Sequence, residues 1–212
     1  MTGHHDSPAG DAEDLEGLAG FYRLLSRLWV SEVDAEWLET LVDGSLADVA
    51  EELELPLDGP REEVLEQLAI EYCGLVIGPK NHVPPHQSVW VEGQLHGQTV
   101  VSMQQFLEVV REEVDATMSD HLGVQLGVMG IIVESLAESL AIAESGPGTG
   151  PEKGGDVTEL TELARVFFAT HVMWITRFLA RAGAATDSKF YLRLIAVTSE
   201  FLAEEHEVWG VD

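Results

Sequence analysis

Two histidines four residues apart, His82 and His86, sit in the run GPKNHVPPHQSVW at residues 78–90. On a helix that spacing would put both imidazoles on one face, where they can share a metal ion. Pro84 and Pro85 stand between them and forbid regular helix, so the spacing loses that meaning. A carboxylate-rich helical chain also invites a di-iron reading, which needs Glu-x-x-His pairs converging on one metal pair. None of the eight histidines has a glutamate three residues before it, and no H-E-x-x-H occurs. Nucleophilic chemistry finds equally little: Ser88 and Ser102 lack the G-x-S-x-G turn that exposes a catalytic serine. Cys73, the one cysteine, lies in an apolar helical run and reads as a small buried filler. A single thiol excludes internal disulfides and any cysteine-based zinc or iron–sulfur site.

Phosphate chemistry is no better served. Gly78-Pro79-Lys80-Asn81 is not a Walker loop, and the glycines of residues 144–156 follow no strand and lack G-x-G-x-x-G spacing. His171 falls on the apolar stripe of its helix, the place of a hydrogen-bonded core histidine. Asp120-His121 has the form of a helix start, with Asp120 capping backbone amides. His121, at the first helical position, is expected to be partly exposed and to titrate near neutrality. The residue inventory therefore predicts no enzyme, no metal and no cofactor.

The chain has 212 residues, 45% of them hydrophobic, which suits a sizeable core. No run of eighteen uncharged apolar residues occurs, so no membrane span is expected. The polar, acidic start lacks the basic and apolar regions of an export signal, which places the protein in the cytoplasm. Net charge is −27, from 38 acidic and 11 basic residues. Such a surface repels phosphate backbones and anionic lipids, which argues against nucleic-acid and membrane-surface partners. Only three of the basic residues are lysines. An acidic, lysine-poor surface fits adaptation to high salt, and it also fits a face that attracts a basic peptide.

The elements that must position these residues read as helices. Residues 1–12 carry no apolar pattern and are expected to be disordered. Leu15, Leu18, Phe21, Tyr22, Leu25 and Leu28 form a first helical stripe. Asp34 is placed to cap a second helix and Ser45 a short third one. Pro60 opens a fourth helix, which Gly78-Pro79 ends. A loop runs from there to about Gln98. Ser102 is placed to cap the next helix and Asp120 the one after, with Leu122, Leu126, Met129, Ile132 and Leu136 on its stripe. Residues 144–156 read as a Gly/Pro linker. Two long helices follow, through Phe178 and Phe201. The prediction is an all-α, single-domain helical bundle of about eight to ten helices over residues 13–212.

Several segments carry a resemblance. The first is Tyr72-x-x-Leu75-x-x-Gly78-Pro79, then Pro84-Pro85-x-x-Ser88-Val89-Trp90, then Glu92-Gly93-x-Leu95-x-Gly97-x-Thr99. The second is Asp120-His121-Leu122-x-x-Gln125-Leu126-x-x-Met129. The third is Phe168-x-x-His171-x-x-Trp174-x-x-x-Phe178, followed by Phe190-Tyr191-x-x-Leu194 and Phe201-Leu202. In this order the set resembles the TorD/DmsD/NarJ family of redox-enzyme maturation chaperones, over residues 15 to 205. The chain departs from the family pattern at Ser119, often proline there, at Gln125, often glutamate, and at Val128, often phenylalanine. The linker looks like an insertion.

The resemblance implies a TorD-like, non-catalytic cytoplasmic chaperone. Its partner would be the apo form of a DMSO-reductase-family molybdoenzyme catalytic subunit, held through its twin-arginine leader or its body until molybdopterin is inserted and export may proceed. A NarJ-like assembly factor for a membrane-associated nitrate reductase is the alternative. A small helical metal- or nucleotide-dependent enzyme is the more distant one. Weak guanine-nucleotide binding is reported for some members, and no motif here supports it. The chain would act as a monomer or homodimer. By position, the leader-binding residues would be Tyr72, Gly78, Pro79, Pro84, Pro85, Ser88, Trp90, Asp120, His121 and Gln125. Glu92, with Asp120, would supply carboxylates for the arginines, and Trp90 and Tyr72 would supply apolar walls.

Overall fold

The computed structural model describes residues 10–78, 81–112, 118–145 and 155–210. Apolar residues at helical spacing run through almost all of them, and the described residues hold helices and one isolated β-bridge, with no strand. Helix α1 (Ala12–Val30) starts at Asp11, whose carboxylate accepts the Asp14 amide at 3.0 Å. Helix α2 (Ala35–Asp43) starts at Asp34, which accepts from the Trp37 amide at 2.8 Å, the cap its sequence predicts. Helix α3 (Ala47–Glu52) has Leu46 at its N-cap with no side-chain bond, so Ser45 does not cap it. Helix α4 (Arg61–Tyr72) runs straight into a π-helical turn, Cys73–Ile77.

Helix α5 (Gln87–Glu92) lies within the stretch expected to be loop, and α6 (Gln98–Val110) begins four residues before Ser102. Ser102 is therefore a mid-helix residue, not a cap. Its hydroxyl meets the His171 ring instead, at 3.0 Å. Helix α7 (Leu122–Ser145) is followed by α8 (Val157–Phe167), a second π-helical turn (Phe168–Val172), α9 (Ile175–Gly183) and α10 (Lys189–Trp209). The predicted linker lies mostly outside the described residues, as do Pro79 and most of the expected N-terminal tail.

The bundle is centred on the pair α1 and α7, which pack along their length. Their close approach has a local cause. A Cβ on Gly123 would sit 2.7 Å from the backbone nitrogen of Val30, so only glycine allows this spacing. Around the pair lies a continuous apolar core reaching from Leu15 to Trp209. Some buried polar groups in it are paired: Trp29 Nε1 donates to Thr198 Oγ1 at 3.0 Å, and Tyr22 Oη donates to Glu205 Oε2 at 2.7 Å, whereas Tyr191 Oη, Ser88 Oγ and Trp37 Nε1 are buried without a hydrogen-bond partner among the described residues. Two segments, Leu122–Glu144 and Val157–Gly183, are by length and composition apolar enough to cross a bilayer, although charged residues interrupt both; half of each is buried inside this bundle. Core packing accounts for their hydropathy. Cys73, expected inside, is exposed on the π-helical turn.

Candidate functional site

Two separate segments of the chain are sewn together at the start of α7. The Leu122 amide donates to the Pro85 carbonyl at 2.9 Å, and the Gln87 amide donates to the Asp120 carbonyl at 2.9 Å. These bonds form an antiparallel bridge between His86 and His121. Pro84 and Pro85 have no amide to donate and hold the approaching chain extended, so the ladder stops after one step. The Asp120 carboxylate then reaches past its own helix. Its Oδ2 accepts the Ser88 amide in the first turn of α5 at 2.9 Å, and its Oδ1 meets His86 Nδ1 at 3.0 Å.

Asp120 thus caps α5, while the amide of Gly123 at the start of α7 donates to His121 Nδ1 at 3.1 Å. The predicted local cap is a crossed pair. His121 is buried, not partly exposed as its helix-start position suggested. Burial, helped by the neighbouring His86, depresses its pKa to about 3 and outweighs the pull of Asp120. For Asp120 burial works upward, but hydrogen bonds from His86 and Ser88 overcome it and hold the carboxyl at about 2.

Beneath the bridge lies a polar network in the apolar core. Gln87 Nε2 donates to the Thr170 carbonyl at 2.5 Å, inside the second π-helical turn. Gln87 Oε1 receives Gln125 Nε2 at 2.6 Å and His171 Nδ1 at 2.8 Å. Gln125 Oε1 in turn accepts Trp174 Nε1 at 2.7 Å. With Nδ1 donating, His171 Nε2 accepts the Ser102 hydroxyl, so one neutral tautomer satisfies the whole set. Burial keeps that histidine neutral, with a pKa near 4. It is the hydrogen-bonded core histidine its position predicted.

The remaining motif residues shape the loop. Trp90 is half-buried, its ring edge-on to Phe178 with centroids 6.2 Å apart, and its Nε1 donates to the Pro84 carbonyl at 2.7 Å. Gly93 ends α5 with a left-handed φ of 73°, which its lack of a side chain allows. Glu92 accepts the Gln98 amide at 2.7 Å and the Thr99 amide at 2.9 Å, so it caps α6. Those bonds, led by the Thr99 amide, lower its pKa. A Cβ on Gly97 would collide with this carboxylate, which explains the glycine. Both oxygens of each carboxylate already accept bonds that build the site: Asp120 from Ser88 and His86, Glu92 from Gln98 and Thr99.

Beside the bridge opens a groove of about 410 Å³. Of the predicted residues it gathers Tyr72, Pro84, Pro85 and His121. Gly78, Ser88, Trp90, Glu92, Asp120 and Gln125 are not among its lining residues. Tyr72 is buried, and its hydroxyl donates to the Trp29 carbonyl at 3.2 Å; burial raises its pKa to about 12. The rest of the wall comes from residues outside the predicted binding set. Val30, Ser31 and Glu32 arrive from the end of α1, and Val76 and Ile77 from the first π-helical turn. His82, His86, Val89, Leu95 and Met118 close the other side. Ile77 is 63% exposed and Leu95 54%, large apolar side chains left facing solvent at the rim. Val89 and Leu95 belong to the quoted motif segments, but no short motif joins them to Val30, Ser31, Glu32 and Met118, so only the fold brings the set together. Among the described residues no group of three His, Cys, Asp or Glu side chains is placed to hold a metal ion.

Fold and site together define an all-helical protein in which a proline-rich loop is tied to the start of a core helix beside an apolar groove. Residues 36–180 match the family described as nitrate reductase delta subunit, and the chain belongs to that family, the group of TorD- and NarJ-type maturation chaperones. It is 30% identical over 131 residues to the chaperone protein TorD of Shewanella oneidensis, which covers 51% of this chain and 60% of that protein. With the chaperone protein TorD of Shewanella sp. strain ANA-3 it is 31% identical over 132 residues, 51% of this chain and 63% of that one. The match thus spans a little over three fifths of the length of these curated relatives. The bridge, the loop and α7 lie inside the matched residues; α1, Glu32 and α10 lie outside them.

Proposed function

We propose that this chain is a cytoplasmic, non-catalytic chaperone that uses the groove beside the His86–His121 bridge to hold the leader of a molybdoenzyme catalytic subunit. In this reading the client belongs to the DMSO-reductase family and carries a twin-arginine leader. The chaperone keeps the apoenzyme back from export until molybdopterin is in place. The observation that carries the reading is the groove itself, with exposed Ile77 and Leu95 on its wall beside Tyr72, Pro84 and Pro85 of the motif segments. An apolar peptide segment can bury its side chains there, and the prolines and the bridge fix the wall before binding, which lowers the entropy cost of ordering it. Residues 13–212 act as one chaperone domain. No bound cofactor is needed for this role.

A second reading has its own support in the matched family description, nitrate reductase delta subunit. There the client is a membrane-associated nitrate reductase and the chain is an assembly factor. Co-purification separates the two. The tagged chain, co-expressed with a twin-arginine molybdoenzyme precursor or with a nitrate reductase catalytic subunit, is expected to retain the first. Retention of the second alone supports the assembly-factor reading, and retention of neither defeats both.

A further inference from the structure

We propose that Glu32 is the residue through which the groove selects a basic side chain in its peptide, so that the preferred ligand is an apolar run with an arginine or lysine beside it. This rests on the reading of the groove as a peptide site. Among the described residues lining the groove, Glu32 alone carries a carboxylate, and none carries an ammonium or guanidinium. The two carboxylates of the motif segments are committed elsewhere: Asp120 to Ser88 and His86, Glu92 to the first turn of α6.

Glu32 differs from both. It is exposed, and among the described residues its carboxylate has no hydrogen-bond or ion-pair partner. Its backbone is nonetheless held, because Arg27 and Ser31 both donate to its carbonyl at 3.4 Å. Arg27 directs its charge to Asp34 instead, and leaves Glu32 unneutralised. The Glu32 charge is felt inside the groove, since it contributes to raising the Tyr72 phenol after burial has done most of that. A cation meeting Glu32 at the groove mouth would have the apolar rim of Ile77 and Leu95 beside it. The net charge of −27 draws such a peptide in without selecting its place.

The test is a calorimetric cycle at about 0.15 M salt, where a Debye length of about 8 Å screens the distant charges but not a contact at Glu32. Two synthetic peptides share one ten-residue apolar run; one carries Arg-Arg before it and the other Gln-Gln. The wild type is expected to prefer the arginine peptide roughly threefold to fivefold, the scale of a solvent-exposed ion pair. Glu32→Gln is expected to bind the glutamine peptide as the wild type does and to lose the preference. Glu32→Lys should bind the arginine peptide more weakly still. Both substitutions are at an exposed side chain, so an unchanged thermal midpoint is the folding control. A preference that survives in Glu32→Gln overturns the assignment and leaves the peptide groove standing. Failure of the wild type to bind either peptide overturns both.

Discussion

Asp120 holds two donors, the Ser88 amide and the His86 ring, from a segment more than thirty positions earlier in the chain. Replacing it tests how the loop is held. Asp120→Ala leaves a buried amide without a partner and is expected to cost about 1–3 kcal/mol in urea unfolding. Asp120→Asn should cost less, because Oδ1 can still accept from Ser88 while the amide donates to His86 in its other tautomer. Equal losses for the two variants would contradict this geometry. The buried histidines predict the acid limb. His121 and His171 are neutral when folded, with pKa values of about 3 and 4, yet take up protons near 6.5 when unfolded. Their contribution is whole above pH 6.5 and is lost as pH falls towards 4 and 3, on the order of 3 kcal/mol for His171 alone. Asp120 adds a loss only below about pH 4, down to its folded value of about 2. Glu205 acts in the opposite sense, since burial raises its pKa and the folded state gains as it protonates. With two histidines against one carboxyl, unfolding midpoints should fall between pH 6.5 and 4.5. A flat profile there would show that the rings are not buried neutral.

At the scale of elements, the apolar stripes made most helices legible, and Asp34 capped the helix it precedes. Asp120 shows where such reasoning stops: capping chemistry says that a carboxylate wants backbone amides, not whose amides they are. The Glu-Gly-x-Leu-x-Gly-x-Thr run was legible as a motif, yet its logic, a Glu92 cap that leaves Gly97 no room for a side chain, needed the fold. Neither π-helical turn is visible in the residue pattern, although one builds the groove wall and the other presents Thr170 to Gln87. The contact between α1 and α7 gives a prediction at this scale. Gly123→Ala gains about 1 kcal/mol of helix propensity. Its methyl, however, meets the Val30 backbone at 2.7–2.8 Å, and overpacking of this kind costs about 1–3 kcal/mol. Net destabilisation is expected in chemical unfolding, with peptide affinity reduced as Val30 shifts at the groove. A stabilised variant would mean that the two helices can separate freely.

For the whole molecule, charge and groove work at different ranges. The net charge of −27 repels itself in the compact state, and 1 M salt screens such repulsion beyond ~3 Å. The thermal midpoint should therefore rise between 0.1 and 1 M potassium chloride; a fall would remove the case for a salt-adapted surface. The groove could not be read from the sequence because its walls come from the end of α1, the first π-helical turn, the loop and the turn before α7, which meet only in three dimensions. The most direct test of the account is calorimetry of a client leader peptide against groove and control variants. Ile77→Asp and Leu95→Asp, both at exposed side chains, should fold normally and bind roughly tenfold more weakly or worse than wild type. Val109→Asp, equally exposed on α6 but outside the groove, should bind as wild type does. Unchanged affinity in both groove variants would contradict the assignment of this groove as the client site.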